Sequence, residues 1–181
     1  MKKFSRKTEE TEVDVIFGSE KTDIRTGIPF LNHMLKTLSK HSGYGLIVKA
    51  TGDDEHHIIE DVAICLGNAI GNISKKGIER FGDAIVPMDD AVAICGLDFS
   101  GRGIFVFEGD IRDGSMKSED FIHFLDTLCR NAGLNVYLKV MGKNSHHMME
   151  AAFKALAISL KKALRKSESE DGFRSAKGVL D

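Results

Sequence analysis

The chain has 181 residues, 42% hydrophobic and 29% charged, which is enough apolar material for one domain or two fused halves to bury a core. A formal net charge of −2 gives no electrostatic footprint for a nucleic-acid backbone. Neither an apolar leader nor an apolar run long enough to cross a bilayer is read, so a soluble, cytoplasmic protein with no nucleic-acid or membrane partner is expected.

In chain order, Val13 to Phe17 reads as a strand. Gly27-Ile28-Pro29 breaks the chain before a helix from about Phe30 to Lys40, whose Leu31, Met34, Leu35 and Leu38 recur at helical spacing. Gly43 and Gly45 end it, and Gly45 to Ala50 reads as a strand. The acidic turn Gly52-Asp53-Asp54-Glu55 precedes a helix from about His57 to Lys75, and negative charge suits a helix N-terminus. Strands follow at Ala91 to Phe99 and Gly103 to Glu108, a helix at Glu119 to Ala132, a strand at Leu134 to Met141, and a long helix at His146 to Lys166. Cys65, Cys95 and Cys129 fall in apolar or helical contexts without metal-ligand spacing, and are expected as buried thiols in a reducing cytosol.

This series repeats. His56-His57-Ile58-Ile59-Glu60 returns as His146-His147-Met148-Met149-Glu150, and at the same offset His33 lies over His123, Gly43 over Gly133 and Leu66 over Leu156. No gap is needed from about residue 33 to residue 66. The expected architecture is α+β, with internally duplicated β-β-α-β-α halves, each a small sheet packed against helices. The halves divide at residues 1–90 and 91–166, with a polar tail over 167–181.

The repeated residues are metal donors. Residues four apart on a helix share a face, so His56 with Glu60, and His146 with Glu150, can each hold one ion. His57 and His147 are turned by roughly 100° about their helices and must look elsewhere. His33 and His123 sit on separate helices and can complete the shells. Pairing across the duplication gives His33, His57, His146 and Glu150 as one set, and His123, His147, His56 and Glu60 as the other. Three imidazoles and a carboxylate suit Mn²⁺, Fe²⁺, Co²⁺ or Zn²⁺, and an octahedral ion would keep two positions open. The bland reading, capping and surface histidines, accommodates a lone His better than six in register. His41, opposite Asn131, stands outside the repeat.

The chain resembles the imidazoleglycerol-phosphate dehydratase family over nearly its whole length. The resemblance is carried by Arg6-Lys7-Thr8-Glu9-Glu10-Thr11, by Thr26 to Leu35, and by His56 to Asp61. Further on it is carried by Gly77-Ile78-Glu79-Arg80-Phe81-Gly82, Pro87-Met88-Asp89-Asp90, Leu97 to Arg102 and Gly142 to His147. It implies two Mn²⁺ ions on His33, His56, His57, Glu60, His123, His146, His147 and Glu150. It implies a phosphorylated imidazole substrate whose phosphate is held by Arg80, Arg102, Ser175 and Lys177, which gives the tail a role. It also implies self-association into a 24-subunit shell with sites between subunits. The implied reaction converts D-erythro-imidazoleglycerol phosphate to imidazole acetol phosphate and water. Glu10, not needed as a ligand, is the expected general acid/base. The chain departs from the family pattern at Asn32, Asp90, Tyr137 and the short loop before His56. The competing readings are another metal-dependent lyase or hydrolase acting on a phosphorylated small molecule, and a non-enzymatic assembly held by metal.

Overall fold

The computed structural model describes residues 1–167 and Ser175. The first half runs β1 (Lys2–Lys7), β2 (Thr11–Ser19), β3 (Asp23–Arg25), α1 (Pro29–Ser42), β4 (Gly45–Gly52) and α2 (Glu55–Gly71). The second runs β5 (Phe81–Met88), β6 (Ala91–Asp98), β7 (Phe105–Glu108), α3 (Ser118–Ala132), β8 (Asn135–Met141) and α4 (Ser145–Ala163). The two sheets have the same plan, in the orders β1-β2-β4-β3 and β5-β6-β8-β7. In each, the short third strand pairs parallel with the fifth element and every other pairing is antiparallel. The α+β class and the duplication are therefore as expected, with one more strand in each half. β5 pairs with β6 along its whole length, so Phe81–Met88 is part of the second sheet.

The helices form the centre. Val13, Val15 and Phe17 of β2 and Leu46, Val48 and Ala50 of β4 turn one buried face onto α2, while Ala93, Cys95, Val136, Leu138 and Val140 do the same for α4. α2 then packs on α3, and α1 on α4, so each helix pair joins the two halves. Alternation at a period of two is what a half-buried strand requires. The closeness of the layers is set locally: a Cβ on Gly82 would lie 1.9 Å from the Ser159 carbonyl oxygen, so α4 rests directly on β5. Both α1 and α3 end in a left-handed glycine, Gly43 at φ 78° and Gly133 at φ 69°, the conformation a C-terminal cap favours. Among the described residues, no helix is long and apolar enough to cross a membrane.

Candidate metal centres and substrate site

Each HHxxE segment opens a helix. Asp54 caps α2, its side chain accepting from the His56 amide at 2.7 Å, and Asn144 caps α4, accepting from the His146 amide at 2.9 Å and the His147 amide at 3.3 Å. A cap oxygen on the first free amides fixes where the helix begins. It therefore fixes the doublet in the first turn, with Glu60 and Glu150 one turn further along the same faces.

Two clusters result. His33, His146 and Glu150 offer ligand atoms all within 4.8 Å of one another, and so do His56, Glu60 and His123. Each joins a helix of one half to a helix of the other, α1 with α4 and α3 with α2. His33 Nε2 is 3.5 Å from Glu150 Oε2, and His123 Nε2 is 3.5 Å from Glu60 Oε1. His123 Nε2 is buried with no hydrogen-bond partner. An orphaned imidazole nitrogen facing a carboxylate costs free energy unless something sits between them, and a divalent cation fits that donor set. The clusters share one end of the molecule: His56 and Asp120 line a cavity of about 280 Å³ with Ser115, whose hydroxyl is 3.0 Å from His146 Nδ1.

His57 and His147 enter neither cluster among the described residues. His57 Nδ1 lies 2.9 Å from Asp53 Oδ1, and His147 Nδ1 lies 2.6 Å from Asp90 Oδ1. These hydrogen bonds raise both histidines above the ordinary imidazole range and hold Asp53 and Asp90 below the ordinary carboxylate range. Each pairing uses Nδ1 and leaves Nε2 as the second ring nitrogen, which in His147 lies 3.4 Å from Asp89 Oδ2. Asp90 Oδ2 also accepts from the amides of Lys143 (3.2 Å) and Asn144 (3.0 Å), so it fixes the loop entering α4. Asn32 closes the entry to α1, its Oδ1 accepting from the Thr26 amide at 3.0 Å and hydroxyl at 2.8 Å. Sequence reasoning missed these partners because they lie outside the repeated motif.

Glu10 is exposed in the β1–β2 turn, its carboxylate 3.9 Å from His57 Nδ1. The hairpin is pinned to α2 by buried Asp61, which takes Arg6 Nε at 2.7 Å and the Thr11 hydroxyl. Arg80 has φ 68°, an uncommon left-handed backbone for a non-glycine residue. Its amide donates to the Ala163 carbonyl (2.9 Å), its carbonyl accepts from Phe99 (3.0 Å), and its guanidinium pairs with Asp98 at 2.7 and 3.0 Å. Arg102 is exposed three residues beyond Phe99. Both arginines thus sit by the C-terminal end of α4, while His146 sits at its N-terminal end. At 1.5 Å per residue, the helix puts roughly 25 Å between them. One chain does not bring Arg80 or Arg102 to its own histidine clusters. Ser175 is half-buried, and Lys177 lies outside the described residues. Tyr137 is also remote from the clusters, its hydroxyl on Glu108 at the outer face of the second sheet.

The fold and site define a class: an internally duplicated α+β protein carrying paired His/Glu centres at helix N-termini. The family model described as imidazoleglycerol-phosphate dehydratase matches residues 26–160. The imidazoleglycerol-phosphate dehydratase of Archaeoglobus fulgidus is 72% identical over 181 residues, covering 100% of both chains. That of Methanocella arvoryzae is 44% identical over 97% of this chain and 96% of its own. The crystal structure of IGPD from Pyrococcus furiosus in complex with (S)-C348 matches with a TM-score of 0.89 and 35% identity, over 98% of this chain and 100% of that one. The chain belongs to the imidazoleglycerol-phosphate dehydratase family.

Proposed function

We propose that this protein dehydrates D-erythro-imidazoleglycerol phosphate to imidazole acetol phosphate, the dehydratase step of histidine biosynthesis. The observation that carries the reading is the pair of three-donor clusters, His33–His146–Glu150 and His56–Glu60–His123, in a chain of this family. His57 and His147, which enter neither cluster within the chain, complete the sets from neighbouring copies. The first set becomes His33, His57, His146 and Glu150, and the second His123, His147, His56 and Glu60. Three imidazoles and one carboxylate fit Mn²⁺, with positions left for substrate. Ions held there would supply Lewis acidity to the substrate's imidazole, which would favour loss of the hydroxyl from the ring-attached carbon.

The chain's own residues do the rest. Glu10 takes the proton from the neighbouring carbon, and loss of hydroxyl with a proton leaves an enol that becomes the ketone. Arg80, Arg102, Ser175 and Lys177 hold the phosphate, where a planar guanidinium can give two hydrogen bonds to one oxyanion. Because the arginines and the clusters occupy opposite ends of α4, the site combines several chains, which supports a homo-oligomer, a 24-subunit shell in our reading. Phe81, Ile85, Ile104 and Val106, exposed on the outer face of the second sheet, are apolar surface for such contacts. The three buried thiols suit a reducing cytoplasm.

Conversion tests the reading. Purified protein loaded with Mn²⁺ should form imidazole acetol phosphate from the substrate. Two bound ions without product would move the chain to another reaction on a phosphorylated small molecule.

A further inference from the structure

We infer that the two centres are unequal, and that the one built from His56, Glu60 and His123 takes its ion first because Asp120 supports it while Lys154 opposes the other. This rests on the reading of both clusters as metal centres. The duplication makes the comparison direct, since each residue of one centre has an equivalent in the other.

Asp120 stands three residues before His123 on α3, is 6% exposed, and places Oδ1 2.7 Å from His56 Nδ1. An ionised carboxylate only accepts, so His56 must carry its proton on Nδ1 and turn the Nε2 lone pair to the centre. Such a carboxylate–histidine pair raises ligand basicity and fixes the ring. The equivalent residue three before His33 is Phe30, whose ring lies 5.1 Å from that of His146. Nδ1 of His146 meets the Ser115 hydroxyl instead. A hydroxyl can donate or accept, so it neither fixes the tautomer nor adds charge.

The carboxylates differ as well. Lys154 Nζ lies 3.0 Å from Glu150 Oε1, one turn along α4, and both side chains are largely buried. The equivalent of Lys154 is Ile64, so Glu60 has no ammonium on its own helix at this spacing. One centre therefore holds two carboxylates, Glu60 and Asp120. The other holds one, already paired with a cation. The histidines that complete the sets do not cancel this difference, because His57 and His147 each bring a carboxylate on Nδ1.

The test is a Mn²⁺ titration of metal-free full-length protein, followed by calorimetry and by the visible absorption of the Co²⁺ form. Wild type should bind in two steps whose dissociation constants differ at least about tenfold, the scale of a carboxylate partner to a ligating histidine. D120N keeps shape and an acceptor but loses the charge. It should weaken the tight step about tenfold, leave the loose step in place and shift the Co²⁺ spectrum of the first ion. K154M should tighten the loose step alone, which tests the same inequality from the other centre if D120N proves unstable. One class of two equal sites in wild type would overturn the inference, as would a K154M variant that leaves both steps unmoved. Absence of any binding would remove the metal reading itself.

Discussion

Glu10 and Asp90 hold the same position in the two halves. Each ends the turn of the first hairpin of its sheet, and each approaches the second histidine of its doublet, Glu10 at 3.9 Å from His57 and Asp90 at 2.6 Å from His147. Their surroundings separate their roles. Asp90 is committed to the histidine and to the amides of Lys143 and Asn144, while Asp53 takes the histidine in the other half and leaves Glu10 exposed. E10Q should lower kcat by about 10²–10⁴-fold with both ions still bound, the range for loss of a general acid/base. D90N should instead weaken Mn²⁺ binding about tenfold or more, read by titration. Equal turnover of E10Q and wild type would remove the acid/base role.

We propose Arg102 as a phosphate ligand. R102A should lower kcat/KM by about tenfold to a hundredfold, the scale of a hydrogen bond to a charged group, with most of the change in KM. The same variant should bind two Mn²⁺ as wild type does, since the arginine is not among the proposed metal ligands. Steady-state kinetics beside metal titration would show either outcome.

The contact between Gly82 and Ser159 has a stability consequence. G82A drives a methyl group into the Ser159 carbonyl and should cost about 3 kcal/mol, at the upper end for overpacking a close-packed contact. A lowered melting temperature would show it; an unchanged one would mean the β5–α4 spacing can relax freely.

The thiols should be inert in the native protein. Burial pushes Cys65 up to about 12 and Cys95 up to about 11, and raises Cys129 as well. A raised thiol pKa keeps the unreactive protonated form through pH 8, so alkylation at that pH should be negligible until denaturant is added. Rapid labelling without denaturant would contradict the buried placement.

Much of this was legible in the sequence because of where the repeat keeps register. From His33 to Leu66 the offset is constant, and that stretch holds both helices and the strand that position the clusters. The hairpins escaped for a geometric reason. Val13 pairs with Ala50 as Ala93 pairs with Val140, so the second strand is displaced by 80 positions while its partner is displaced by 90. The extra residues lie around β7 and in the loop before α3, and without the sheet register an ungapped comparison cannot see past them. β1 and β5 were missed on composition as well. β1 is mostly charged, and β5 carries Gly82 and Pro87, so neither shows a clear apolar alternation. The repeat accounted for the symmetry of the candidate ligands, and their crossing between halves was a further inference; the carboxylates on Nδ1 followed from neither. Asp120 and Asp90 come from segments far from the doublets, and only the packing of α2 on α3 and the β5–β6 turn bring them there.

The central claim is that a working site needs more than one chain, because the arginines and the histidine clusters occupy opposite ends of α4. Subunit mixing tests it most directly. E150Q, expected to be inactive, and R102A, assayed at substrate concentrations low enough that its kcat/KM loss leaves little turnover, should be unfolded together, refolded as mixed assemblies with Mn²⁺, and assayed for imidazole acetol phosphate. The account expects activity to return, since some sites then join an intact cluster from one chain to an intact arginine from another. Mixed assemblies, verified as mixed, that stay as inactive as their parents would contradict it.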